Sequence, residues 1–299
     1  PGETWKQPDL AATLERIQKN GRDGFYKGQT AKLIADFMRK NGGIITEEDL
    51  AKYQAVERKP VQGTYRGYDV ISMCPPSSGG ITLILMLNML EGYDLAKIGH
   101  NSAAYLHLLT EAMRRAFADR AKHLGDPDFN PNMPVEQLLS KEYAAELRQT
   151  IDPYFATKSS LEHASLTHES EETTNFSVVD AQGNTVSLTY TLEYGYGSRI
   201  VVEGAGFLLN NEMGDFNPIP GHTSETGLIG TPPNLVRPEK RMLSSMTPTI
   251  LAKDGKPVMA IGSPGGRTII NTVLQVILNV VDHEMNIGQA IEAGRIHHQ

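Results

Sequence analysis

Between Asp152 and Glu172 the sequence changes character. Upstream, apolar residues recur with the helical period; downstream, they alternate as in strands. The intervening "DPYFATKSSLEHASLTHESEE" keeps no period and is rich in Ser, Thr, His and Glu. It exceeds the roughly 12–15 residues usual for a connection inside a compact domain, which marks it as a functional or mobile linker. A helical block followed by a strand block restricts the chain to layered architectures, an α+β or α/β sandwich.

The upstream block divides at its punctuation. "PDLAATLERIQKNG" has Pro8 in a first turn and Gly21 at a stop, with Leu10, Leu14 and Ile17 expected on one buried stripe. "TAKLIADFMRKNGG" repeats the format, and Thr46 with Asp49 in "ITEEDLAKY" forms a near capping box. "GYDVISM" reads as a strand and "CPPSSGG" as a rigid turn. Helices are expected over about 80–92, 102–122 and 134–150. Downstream, strands are expected near 175–180 and 184–192 and in "GSRIVVE", "GFLLN", "MTPTILAK" and "KPVMAIG". Helices over about 267–282 and 286–294 close the sequence.

Charge and cysteine content narrow the function classes. Against 28 Lys and Arg stand 35 Asp and Glu, a net charge of −7, which leaves no domain-wide basic face for nucleic acid. The single Cys74 excludes an internal disulfide and a multi-cysteine metal site. The nine histidines lack metal-ligand spacing, so no metal is expected. The longest apolar run, "ITLILMLNML", stops at Glu91, far short of the roughly 20 residues that span a bilayer. No signal segment opens the chain, which leaves a cytoplasmic protein or one whose N-terminus has been removed.

The hairpin carries the first chemical clue. In "VVDAQGNTV" the loop is Ala181-Gln182-Gly183, with Gly183 where a left-handed residue is needed. That loop sets Asp180 opposite Asn184, Phe176 opposite Leu188 and Thr173 opposite Thr191. Threonine pairs also occur simply to stabilise strands. A Thr directly after a linker has a second possibility. If the Glu172–Thr173 bond is cut, Thr173 gains a free α-amine within reach of its own hydroxyl, the arrangement of an N-terminal threonine nucleophile. Before cutting, the same hydroxyl could attack the Glu172 carbonyl.

Three further stretches allow either chemistry or ordinary structure. "GSPGGRT" lies between an apolar strand and a long helix, either a plain turn or a set of N–H donors for an oxyanion. "NNEMGDF" places Glu212 and Asp215 three apart, a cation site or solvated surface. "MLSSMTP" offers Ser244 and Ser245, hydroxyls suited to a carboxylate or merely a polar turn.

"TTNFSVVDAQGNTVSLTYTLEYGYGSRI", "LLNNEMGDF", "KRMLSSMTPTI" and "GSPGGRTIINTVLQ" together resemble the bacterial gamma-glutamyltranspeptidases, which are N-terminal-nucleophile hydrolases. Upstream, "PGETWKQPDLAATLERI", "GYDVISMCPPSSGG" and "LGDPDF" resemble the large-subunit half of that family. The resemblance spans the chain but not a whole family member, so an internal portion is expected. It implies a four-layer αββα sandwich made as a precursor and cut between Glu172 and Thr173. Residues 1–172 would then end the large subunit and 173–299 carry the nucleophile, interwoven in one domain. It implies γ-glutamyl transfer from glutathione or related compounds to water, amino acids or peptides through an ester on Thr173, and it implies no cofactor. Thr191 would orient Thr173, and Gly265 and Gly266 would hold the oxyanion. Glu193, Glu212 and Asp215 would take the glutamyl ammonium, where other members have Asn and Gln at the first two positions. Ser244 and Ser245 would help hold the α-carboxylate, whose principal partner is an arginine upstream of Pro1. A lid loop would run through "NPIPGHTSETGLIG", with its usual bulky aromatic replaced near Thr226. Small-molecule substrates, the two pieces of one precursor as partners, and a periplasmic or secreted location complete the expectation. The rivals are a related γ-glutamyl or glutaryl acylase and an uncut precursor that only binds such ligands.

Overall fold

A computed structural model describes residues 2–159, 173–217, 219–221 and 231–299. Packing groups them into two units, one formed by the chain up to Arg58 with Tyr194–Asn211, the other by Lys59–Glu193 with Glu212–Gln299. These units follow packing, whereas the 1–172 and 173–299 division follows where the chain would be cut.

The first unit holds helices α1 (Pro8–Asn20), α2 (Asp23–Tyr26), α3 (Gly28–Lys40) and α4 (Glu47–Lys52). Pro8 opens α1, and Gly21 closes it at φ +57°. The buried stripe is rotated from the expected one: Leu14 is exposed and Thr13 is buried. Thr13 donates from Oγ1 to the Ala205 carbonyl at 2.8 Å and accepts from Arg16 Nη2 at 2.7 Å, so its polar group is satisfied on the inner face. The capping box forms at α4, Thr46 and Asp49 each taking the other's backbone N–H. "GSRIVVE" and "GFLLN" do not form strands, contrary to expectation. They meet in one isolated bridge, Val201 to Leu208. Left-handed residues at Gly197, Arg199, Gly204 and Gly206 turn the chain too often for a ladder.

The second unit carries a four-stranded antiparallel sheet of order β1-β2-β5-β6, built from Val61–Tyr65, Tyr68–Ser72, Thr249–Lys253 and Lys256–Ile261. β1 was not expected from the sequence. Gly63 sits in its middle because a Cβ there would meet Ile84 Cγ2 at 2.7 Å, so the helix beneath approaches too closely for a side chain. That helix is α5 (Gly79–Leu90), buried along its whole length, which explains the unbroken apolar run. α6 (Leu95–Ile98) follows, then α7 (Ala103–His123), α8 (Val135–Leu139) and α9 (Lys141–Gln149). The helical region expected around 134–150 consists of two helices, because Ser140 leaves the helix and caps α9, its hydroxyl accepting from Tyr143 N at 3.1 Å. α10 (Thr268–Val281) and α11 (Ile287–Glu292) end the unit, and α5, α7 and α10 share one apolar core with the sheet. Cys74 is buried within it. Among the described residues no helix is long and apolar enough to cross a membrane.

The remaining two strands, β3 (Thr174–Val179) and β4 (Thr185–Tyr190), form a separate hairpin with the expected register, Phe176 opposite Leu188. Gly183 takes φ +85° in its loop. Asp180 Oδ1 tightens the turn by accepting from Gln182 N at 2.9 Å and Asn184 N at 2.8 Å.

Candidate functional site

Thr173 precedes β3 and Thr191 follows β4, so the hairpin register alone brings them together. The Thr173 hydroxyl donates to Thr191 Oγ1 at 3.2 Å, and Thr191 Oγ1 also accepts from Glu193 N at 2.9 Å. These bonds fix the Thr173 side chain at the rim of a cleft lined by Thr191, Glu193, Glu212, Asp215, Ser244, Ser245, Met246, Gly266 and Ile269.

The acidic wall needs unusual backbone. Glu193 is held at φ +73°, a left-handed position rare for a residue with a side chain, and it lines the cleft. A Cβ on Gly214 would lie 2.7 Å from Glu193 Oε1, so with glycine between the other two acids the Glu193 carboxylate lies directly against that turn. Glu212 and Asp215 sit at the ends of a single 3₁₀ turn. Asn234 anchors that turn, donating from Nδ2 to the Asp215 carbonyl at 2.6 Å and accepting from Leu243 N at 2.9 Å. Burial pushes the Glu212 carboxyl above its ordinary pKa of 4.5.

The serine pair also lines the cleft, and both residues are buried. Ser244 bridges to Ser77 in parallel fashion, its N donating to the Pro76 carbonyl at 3.2 Å. Its own carbonyl accepts from Ser78 N at 2.8 Å and Ser78 Oγ at 2.8 Å. Gly265 and Gly266 take φ +121° and +54° at the start of α10, where Thr268 Oγ1 donates back to the Gly265 carbonyl at 2.6 Å. Gly266 lines the cleft; Gly265 is not among the lining residues.

Of the stretches singled out in the sequence, the linker from 160 to 172, including Glu172, and lid positions 218 and 222–230, including Thr226, fall outside the described residues. Met246 and Ile269 were missed, and no sequence signal marked them. Gly214 could have been found, since a glycine between two acids invites a steric reading. Nearer the linker, buried Glu111 accepts from Arg115 Nη1 at 2.6 Å and from Thr157 N at 3.0 Å. Burial would raise its pKa, but the bonds from Thr157 and Arg115 outweigh it and hold it down to about 2. Chemically, the cleft gathers the Thr173 hydroxyl, three carboxyl groups suited to a cation and two serine hydroxyls suited to an anion.

The family model Gamma-glutamyltranspeptidase matches residues 1–299. A Glutathione hydrolase proenzyme of Escherichia coli is 50% identical over 300 residues, covering 100% of this chain and 52% of that protein. An Acylase ACY 1 proenzyme of a Pseudomonas species is 40% identical over 297 residues, covering 99% of this chain and 51% of that protein. The chain thus spans about half the length of these relatives. Among solved structures, cephalosporin acylase from Bacillus halodurans superimposes with a TM-score of 0.78 at 30% identity, over 95% of this chain and 49% of that one. The fold is accordingly the α+β sandwich of the N-terminal-nucleophile hydrolases. Matched from end to end by one family model, the chain belongs to the gamma-glutamyltranspeptidase family.

Proposed function

We propose that the protein transfers γ-glutamyl groups from glutathione and similar donors, after its chain is cut between Glu172 and Thr173. The observation that carries this is the Thr173 hydroxyl, 3.2 Å from Thr191, at the rim of a cleft walled by three acids and two serines. In the uncut chain the Thr173 nitrogen is an amide and cannot take a proton. Once freed, its amine accepts the hydroxyl proton as Thr173 Oγ1 attacks the γ-carbonyl. Negative charge then gathers on the carbonyl oxygen, toward the N–H groups of Gly265 and Gly266. The intermediate collapses to a γ-glutamyl ester, and the departing amine takes the proton. Water or an acceptor amine attacks the ester, which returns the hydroxyl. Thr191 keeps the hydroxyl aimed, Glu193, Glu212 and Asp215 attract the α-ammonium, and Ser244 and Ser245 donate to the α-carboxylate.

The acidic wall favours this donor class over glutaryl compounds, which carry no ammonium. The Acylase ACY 1 relative keeps the second class in view, so both donors belong in one assay. By the same family reading the protein works in the periplasm or outside the cell, with the two pieces of its precursor held together; cell fractionation tests the location. The deciding experiment is mass analysis and N-terminal sequencing, then turnover of γ-glutamyl-p-nitroanilide and its glutaryl counterpart. A piece beginning Thr-Thr-Asn-Phe and preference for the γ-glutamyl donor are expected. Thr173→Ala should stay uncut and lose at least about 10³-fold in turnover. An active Thr173→Ala variant, or preference for the glutaryl donor, overturns the reading.

A further inference from the structure

Arg120, in the last turn of α7, is 4% exposed. Burying a guanidinium is costly, and what it is bonded to shows what it can control. Its Nε donates to Ser78 Oγ at 2.8 Å and its Nη2 donates to Ser245 Oγ at 3.0 Å. Ser78 Oγ in turn donates to the Ser244 carbonyl at 2.8 Å. One planar fork therefore grips both the turn before α5 and the serine pair of the cleft.

The direction of these bonds is forced. A guanidinium has donors only, so the Ser245 oxygen must be the acceptor, and its own hydrogen is left to be donated elsewhere. Ser245 lines the same cleft as the acids. A positive charge behind a hydroxyl also polarises it and makes it a stronger donor. The geometry points to Arg120 as a positioning residue that presents the Ser245 hydrogen to the substrate's α-carboxylate and adds positive potential behind it. This rests on the γ-glutamyl reading above. Arg120 reaches the substrate through Ser245 and does not touch it.

The test compares Arg120→Met with wild type in the full polypeptide carrying this chain, after mass analysis confirms self-cleavage. Two donors are used, γ-glutamyl-p-nitroanilide and the same compound with its α-carboxylate converted to a carboxamide. For the carboxylate donor, KM should rise roughly 10- to 100-fold while kcat changes less than about threefold. For the carboxamide donor, KM should stay within about threefold of wild type. Should Arg120→Met fail to fold, Arg120→Lys keeps the charge and loses the fork, and a smaller, equally selective rise in KM is expected. In a Ser245→Ala background, Arg120→Lys should add less than about twofold, because the relay is already broken. Equal losses on both donors, or additive losses in the double variant, overturn the assignment and leave Arg120 a structural staple. Wild type inactive on both donors would instead sink the γ-glutamyl reading, and this inference with it.

Discussion

Helix α5 and the β3–β4 hairpin are both rich in apolar residues, and the second unit treats them in opposite ways. Every residue of α5 is buried, down to Leu85 at 1% and Leu87 at 0% exposure. The hairpin is turned over. Its apolar face, with Phe176, Val178, Val186, Leu188 and Tyr190, points outward, and Tyr190 is 61% exposed. Its polar face makes the contacts: Ser177 Oγ donates to the Ala260 carbonyl at 3.2 Å and Ser187 Oγ to the Ile261 carbonyl at 2.9 Å. Gly262 permits that closeness, since a Cβ there would lie 2.0 Å from Asn175 Nδ2. The helix is thus anchored by area removed from water, whereas the strand leading from Thr173 is anchored by oriented hydrogen bonds. The first device tolerates small shifts; the second fixes an angle, which a nucleophile needs.

The sharpest way to break this contrast is to delete the same side chain in both places. Leu85→Ala should cost about 2–5 kcal/mol of stability, through lost burial and a residual cavity. Leu188→Ala, on a face 38% exposed at that residue, should cost less than about 1 kcal/mol in this chain. Denaturant unfolding of the two variants measures both. Equal losses would mean the hairpin face is as buried as the helix, and the contrast would fail.

The hairpin bonds give a smaller and more local effect. Ser187→Ala removes the donor to the Ile261 carbonyl and should cost about 0.5–1.5 kcal/mol. Its effect on Thr173 should exceed its effect on stability, because a tilted hairpin moves the strand end. Self-cleavage rate, followed by mass, is the measurement. An unchanged rate with lowered stability would reduce the polar face to ordinary packing.

The legible parts of this molecule are those decided by neighbours in sequence. A three-residue loop with Gly183 at φ +85° sets the register, and the register brings Thr173 to Thr191. Capping at Thr46 and the stop at Gly21 are equally local. Periodicity placed the helices but misjudged α1, because the hydroxyl of Thr13 finds a carbonyl inside while Leu14 stays out. "GSRIVVE" has strand composition, yet Arg199 at φ +60° and Gly204 at φ +76° keep it from extending. In the site, the spacing of Glu212 and Asp215 showed two acids and no more. That the Glu193 carboxylate lies against Gly214 between them, and that Arg120 reaches Ser245 across 125 residues of sequence, are set by tertiary packing. Only the family resemblance anticipated the cleft as a set.

Glu212 tests the smallest difference, that between an acid held for stability and one held for binding. Burial raises its pKa above 4.5, so the fold favours the protonated form. Its stabilising contribution is therefore complete below the ordinary pKa and is lost as pH rises through the raised value. At neutral pH Glu212→Gln should leave stability unchanged or slightly improved. Attraction of a substrate ammonium has the opposite dependence, because it needs the ionised carboxylate. KM for a γ-glutamyl donor should thus rise as pH falls from neutrality toward the raised Glu212 pKa, and Glu212→Gln should flatten that acid limb while lifting KM several-fold at pH 7. Parallel pH profiles of KM and of unfolding stability separate the two roles. A Glu212→Gln variant less stable at neutral pH, with its acid limb intact, would make Glu212 a structural acid and leave Glu193 and Asp215 to meet the ammonium.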